Sequence, residues 1–246
     1  MNFNRKIFVP VLLMILVLGL TAGVAAETYK VGTNASFPPF EFVEDDEVVG
    51  FDIDLIKTIG EHQDFDVEVE DTSFDSLIPS LKTGNIDIIV AGMTITDKRA
   101  EQVNFSDPYF VADQSIVVRE DSDRDLTVLY GDNDIGVQNS TTGDLWVTEK
   151  LKDKDILTGD VSRYDSYVMV LSDLVNENLD AVVLDTPVAE RYTEARPVKI
   201  VGEIKTGEEY GIAVRKDDEE LLQKLNEGLE QVNESGEMDE LIEEYF

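Results

Sequence analysis

Apolar residues recur along this chain in blocks whose spacing switches between the periods of strands and helices. Tyr29 to Thr33 and Phe65 to Val69 read as strands, the second with clean period-two alternation. Between them Ile53, Leu55, Ile56 and Ile59 form a stripe of helical spacing, which predicts a helix from Asp52 to His62. A second helix is expected to open at Asp75 or Ser76 and run through Leu81, with Gly84 and Asn85 as its stop. Ile86 to Ala91 then reads as a buried strand. The order βαβαβ implies a mostly parallel sheet with helices on its faces.

The pattern restarts downstream. Gln114 to Val118, Asp134 to Gln138, Leu179 to Leu184 and Glu209 to Val214 read as strands, with Ile156-Leu157 as a shorter candidate. Helices are predicted from Thr141 or Thr142, over Ser166 to Leu174, and at the end over Leu221 to Val232 and Met238 to Tyr245. An echo links the halves. The segments 84–90 and 177–183 each set out a helix stop, an aspartate and an apolar strand. In open α/β sheets ligands sit beyond the carboxyl ends of strands. The first segment delivers Gly92 and Thr94 to that position, the second Asp185 and Thr186.

Arg99 stands out next to the first of these strand ends. Thr96 fits a helix N-cap, which puts Arg99 in the first helical turn, where the macrodipole disfavours a cation. An anionic partner is therefore expected nearby, and the rigid guanidinium fork suits a carboxylate. In so acidic a chain a surface salt bridge is the competing assignment. Thr94 adds a hydroxyl and Gly92 permits close backbone approach. Ser140, Thr141 and Thr142 follow another strand and open a helix, where free backbone N–H groups favour an anion. Asp185 precedes Thr186 and Pro187, a cap and a first-turn proline, and is a candidate partner for an ammonium group. Phe37 and Phe74 lie off the core periodicity and are candidate ligand walls; an ordinary packing role is the alternative for both.

Composition narrows the classes. The 53 acidic residues against 20 basic ones give a formal net charge of −33, which excludes a nucleic-acid backbone binder. Recurrent apolar segments exclude a disordered acidic tail. The chain has no cysteine and one histidine, His62, set among polar residues at a helix end, so neither a disulfide nor a transition-metal site is expected. No phosphate loop or dinucleotide fingerprint occurs, and no cofactor is expected. At the N-terminus Arg5 and Lys6, an apolar run from Ile7 to Leu20 and the small residues Val24-Ala25-Ala26 predict a signal peptide over 1–26. An uncleaved anchor on the outer face of the membrane is the alternative.

Six segments together resemble one family: Phe37-Pro38-Pro39-Phe40, Gly50 to Leu55, Phe74 to Leu81, Ala91 to Arg99, Phe105 to Tyr109, and Asp185-Thr186-Pro187. In family order across nearly the whole mature chain, they resemble the extracellular solute-binding proteins of polar amino acid ABC transporters, of the bacterial family 3 type. The resemblance implies an α/β, two-lobe, periplasmic-binding-protein-like fold (type II), each lobe a mostly parallel sheet flanked by helices, joined by two crossover strands. Lobe 1 would take 27–109 plus 210–246, lobe 2 114–205, and the hinge 110–113 and 206–209. It further implies that Arg99 clasps a ligand α-carboxylate with Gly92, Thr94, Thr141 and Thr142. Asp185 would pair with the α-ammonium, and Phe37 and Phe74 would sandwich the side chain.

Asn34 and Gln138 fall where relatives vary with ligand. Asn34 replaces an aspartate found in glutamine-binding and cation-binding relatives, which ranks neutral polar ligands such as glutamine first, then basic, then acidic ones. The implied partners are an amino acid and a membrane permease with its ATPase, the chain acting as an exported monomer. Two other readings stay open, an amino acid-sensing ectodomain and a cyclohexadienyl dehydratase-like enzyme. Dispersed acidity of this degree also points to a high-salt habitat, because screening weakens the self-repulsion. The thermal midpoint is expected to rise steeply between ~0.1 and ~2 M KCl. Full stability at low salt would contradict the habitat.

Overall fold

The computed structural model describes residues 27–246; the expected signal peptide, 1–26, lies outside the described residues. The chain enters on β1 (Glu27–Thr33) and makes a small antiparallel unit of β2 (Ser36–Phe37), β3 (Glu41–Glu44) and β4 (Glu47–Val49). Next come α1 (Phe51–His62), β5 (Phe65–Asp71), α2 (Phe74–Thr83), β6 (Ile88–Ile89), α3 (Asp97–Ala100) and β7 (Asn104–Phe105). The long β8 (Phe110–Arg119) crosses to a second unit. That unit holds β9 (Ile135–Gln138), α4 (Thr142–Val147), β10 (Val161–Tyr164), α5 (Tyr167–Val175), β11 (Ala181–Asp185) and α6 (Thr186–Ala195). The chain returns on β12 (Val198–Tyr210) and finishes with β13 (Ala213–Val214), α7 (Glu219–Ser235) and α8 (Glu237–Tyr245).

Two five-stranded sheets result, ordered β5-β1-β6-β13-β7 and β10-β9-β11-β8-β12. Each begins with three mutually parallel strands, and its fourth strand is antiparallel to both neighbours. The fold is thus two-lobed α/β with mixed sheets, the type II periplasmic-binding-protein architecture. The reversed strands, β13 and β8, are those at which the chain passes between the two units.

Helices begin where sequence placed their caps. Thr96, Thr141 and Ser166 each accept a backbone N–H from the first turn of α3, α4 and α5. α2 starts a little earlier than expected, after Ser73, and ends at Gly84 in the left-handed region (φ 74°). Ile53, Leu55, Ile56 and Ile59 of α1 are fully buried, as the stripe requires.

Three local expectations differ from the structure. Ile156-Leu157 is not a strand; Leu157 makes only a single bridge to Gly131, and the strand of that region is β10. The expected strand Glu209 to Val214 is cut at Gly211-Ile212, where the chain leaves β8 and joins β6. The unit β2-β3-β4 went unread because its strands are two to four residues long, too short for a period to show.

The two sheets are joined by one antiparallel ladder, β8 against β12, broken between Ile204 and Glu208. At the break the N–H groups of Thr206 and Gly207 donate to the Asp113 carboxylate at 2.8 and 2.9 Å. The extra residues turn the strand, and Glu208 ends up buried between the sheets.

Candidate ligand-binding site

The ten candidate ligand residues named from the sequence line one cavity at the carboxyl ends of the strands, together with Glu41 and Ala91. Asn34, Phe37, Phe74, Gly92, Thr94 and Arg99 come from the segments before β8, and Gln138, Thr141, Thr142 and Asp185 from those after it.

Arg99 is buried, at 7% exposure, and is not a surface ion pair. Nη1 donates to the Thr94 carbonyl at 2.7 Å, and Nη2 to the Ser140 carbonyl across the cleft at 3.1 Å. The Phe74 ring lies 5.2 Å below its guanidinium carbon. Among the described residues no carboxylate pairs with it at salt-bridge distance. Burial draws its pKa down to about 10, against the pull of Glu208 and Asp185, so it stays charged. A buried cation held by carbonyls alone is a site prepared for an anion.

Asp185 stands at the end of β11 in register with Gln114, and at the N-cap position of α6. Its side chain makes no capping bond and instead accepts from the Tyr210 hydroxyl. Burial first, then the nearby Glu208 carboxylate, raise its pKa to about 7. An arriving ammonium would return it to full ionisation.

Glu208 was not foreseen. Its Oε2 accepts from Thr94 Oγ1 at 2.8 Å and from Thr142 Oγ1 at 2.5 Å, and its Oε1 from Gln114 Nε2 at 3.2 Å. It therefore gathers hydroxyls from both lobes. Thr141 is occupied differently. Its hydroxyl caps α4, accepting from Asp144 N–H at 3.2 Å, and donates to the Gln138 carbonyl at 2.9 Å.

At the other end Gln138 Nε2 donates to Asn34 Oδ1 at 2.7 Å, and Asn34 Nδ2 to the Thr72 carbonyl at 2.7 Å. These two amides meet across the cleft in one hydrogen bond, and Asn34 Oδ1 also accepts from the Ser36 hydroxyl while Gln138 Nε2 also donates to the Asp165 carbonyl. Phe37 stacks on Phe40, with ring centroids 5.6 Å apart, and lies beside Tyr167 at 5.9 Å. Gly92, at φ 50°, passes directly under the Phe37 ring, and an added Cβ there would meet Phe37 Cε1 at 2.5 Å.

The larger omission is Glu41. It lines the cavity, is fully buried, and neither carboxylate oxygen has a hydrogen-bond partner. Burial, and then the charge of the nearby Asp52 carboxyl, hold its pKa well above the usual range. Asp52, also fully buried, accepts from Gly92 N–H at 2.7 Å and the Tyr109 hydroxyl at 2.8 Å. Burial raises it to about 6 in spite of those bonds. No sequence signal marks Glu41 beyond its place after Phe40.

Residues 29–246 match the bacterial extracellular solute-binding proteins, family 3. The chain belongs to that family. It is thus an extracellular-type, non-catalytic solute-binding protein, and among the described residues no helix is long and apolar enough to cross a membrane. It is 37% identical to a probable histidine-binding protein of Neisseria gonorrhoeae, over 89% of this chain and 83% of the relative. It is 36% identical to a putative ABC transporter arginine-binding protein 2 of Escherichia coli, over 96% and 98%. Among solved structures, an ancestral arginine-binding protein bound to arginine superposes with a TM-score of 0.84 at 42% identity, covering 90% of this chain and 99% of that one. The form bound to glutamine gives 0.83 at 43%, covering 89% and 97%.

The geometry at Gly92 makes a direct prediction. Gly92→Ala is expected to cost about 1–3 kcal/mol of stability, from the left-handed backbone and the displaced Phe37 ring. Urea unfolding measures it, and a change under ~0.5 kcal/mol would show that Phe37 yields freely.

Proposed function

We propose that the cleft binds a basic L-amino acid, arginine first, and delivers it to the permease of an ABC transporter. The observation that carries this reading is Glu41, a buried carboxylate lining the cavity with no donor of its own. A charge in that position costs several kcal/mol unless a cation meets it.

The site would take the ligand in three parts. The α-carboxylate lies on the Arg99 guanidinium, and the α-ammonium lies against Asp185. The side chain passes between Phe37 and Phe74, and its guanidinium ends at Glu41. Asp185, Glu208 and Glu41 outnumber Arg99 around the cavity, so a ligand of net positive charge balances the site better than a neutral one. The neutral-first ranking rested on Asn34, whose amide is engaged by Gln138 and Thr72. Glu41 supplies the countercharge instead. The curated relatives named above for histidine and arginine support the same class.

Glutamine is the second reading. The Asn34–Gln138 amide pair in the cavity suits a carboxamide, and the ancestral relative has been captured with that ligand.

Capture would work by closure. Lobe 1 (27–109 plus 210–246) and lobe 2 (114–205) would rotate about 110–113 and 206–209, where the β8–β12 ladder is broken at Glu208. A ligand held by Arg99 from one lobe and Asp185 from the other favours the closed form by its differential contacts.

In a thermal-shift series at ~2 M salt, arginine is expected to raise the midpoint most, then lysine and histidine, then glutamine, with glutamate inert. Glutamate or glutamine ahead of arginine would overturn the basic class. Arg99→Ala is expected to cost several kcal/mol of binding by calorimetry. A loss under ~1 kcal/mol would remove Arg99 from the clamp.

A further inference from the structure

The Glu41–Asp52 contact has a consequence for ligand choice that rests on the cationic-ligand reading above. Both side chains are fully buried. Asp52 N–H donates to the carbonyl of Phe40, the residue before Glu41, at 2.9 Å, which sets the two acidic residues side by side. Asp52 Oδ2 is occupied by Gly92 N–H and the Tyr109 hydroxyl, whereas among the described residues Asp52 Oδ1 and both Glu41 oxygens have no donor. Two carboxyl groups in contact can hydrogen bond only if one of them carries a proton.

Among the described residues nothing around the pair offers a fixed cation in its place. Asp71 at the end of β5 and Asp185 across the cleft act on Glu41, and both are acidic. Tyr109, reached just before β8, donates a neutral hydroxyl to Asp52. On the hairpin Glu44 and Glu47 are exposed, and on α1 Asp54 is taken by the Tyr245 hydroxyl of α8 at 2.5 Å. Arg99, the cation of the same cavity, faces Asp185 and Glu208.

We infer that the empty site holds a proton between Glu41 and Asp52, and that a ligand guanidinium or ammonium displaces it on binding. The O–H bond of the carboxyl breaks, its proton passes to solvent, and the ligand cation takes its place beside two carboxylates. A ligand with an uncharged side chain leaves the proton where it is. Affinity for basic ligands therefore rises with pH, up to tenfold per unit while the empty pair remains protonated, and affinity for neutral ones does not share that rise. The pair is thus a proton-linked selector, favouring neutral side chains in acid and cationic ones as pH rises.

Asp185 must be separated from this effect, because an α-ammonium placed beside it can also release a proton. Citrulline controls for it, having the same α-groups as arginine and an uncharged ureido end. Titration calorimetry of the full-length protein at pH 7, in phosphate and in Tris, gives protons released per ligand from the buffer dependence of the enthalpy. Arginine is expected to release about 0.5–1 proton more than citrulline, and Glu41→Gln to abolish the difference. Arginine binding with the same proton count as citrulline would overturn the selector while leaving the basic-ligand reading intact. A difference that persists in Glu41→Gln would overturn its location. Failure of arginine to bind at all would overturn both, and the wild-type comparison stands alone if the variant does not fold.

Discussion

A guanidinium buried between two lobes, with carbonyls rather than carboxylates as partners, is the constraint on which the site depends. Arg99 reaches the Thr94 carbonyl in its own lobe and the Ser140 carbonyl in the other, and rests on Phe74. Carbonyls orient the fork without neutralising it, so the charge remains available to an anion. The short helix α3, capped by Thr96, and the strand end at Gly92 exist in the places that keep that fork inside. Gly92 in turn is fixed from behind by Asp52 and covered by Phe37.

Around that fixed cation stand several buried carboxyl groups. Asp185 and Glu208 face Arg99, and Glu41 stands toward Asp52. Each of these carboxyl groups is placed by a different element: β11 for Asp185, the broken ladder of β12 for Glu208, and the small β2-β3-β4 unit for Glu41. Selectivity in such a site comes from which charges stay unmatched rather than from how many contacts form. The amide pair Asn34–Gln138, read alone, points to a neutral ligand; the proposed basic-ligand reading rests instead on the buried Glu41 carboxyl, because a buried charge left unpaired costs more than an unmade amide bond.

Much of this was legible from residue order. Arg99 and Asp185 are conspicuous because each follows an apolar strand and lies in or just before a helix, on the side where α/β sheets present ligands. The two glutamates were hidden for physical reasons. Among 53 acidic side chains no single carboxylate stands out, and burial is what distinguishes these. Glu41 faces inward because of a two-residue pairing of Ser36 and Phe37 with β3, which no periodicity reveals. Glu208 faces inward because the ladder slips between Ile204 and Glu208, and a slip of register changes which face a residue takes. The neighbouring Glu209, by contrast, is exposed.

The decisive measurement is the affinity of arginine and of glutamine for the wild-type protein and for Glu41→Gln, by titration calorimetry in the same buffer and salt. Removal of the countercharge is expected to weaken arginine by about 30-fold or more, the scale of a broken buried charge pair, and to leave glutamine within about threefold. Equal losses for the two ligands, or an unchanged affinity for arginine, would contradict a cleft that selects its ligand by the charge at Glu41.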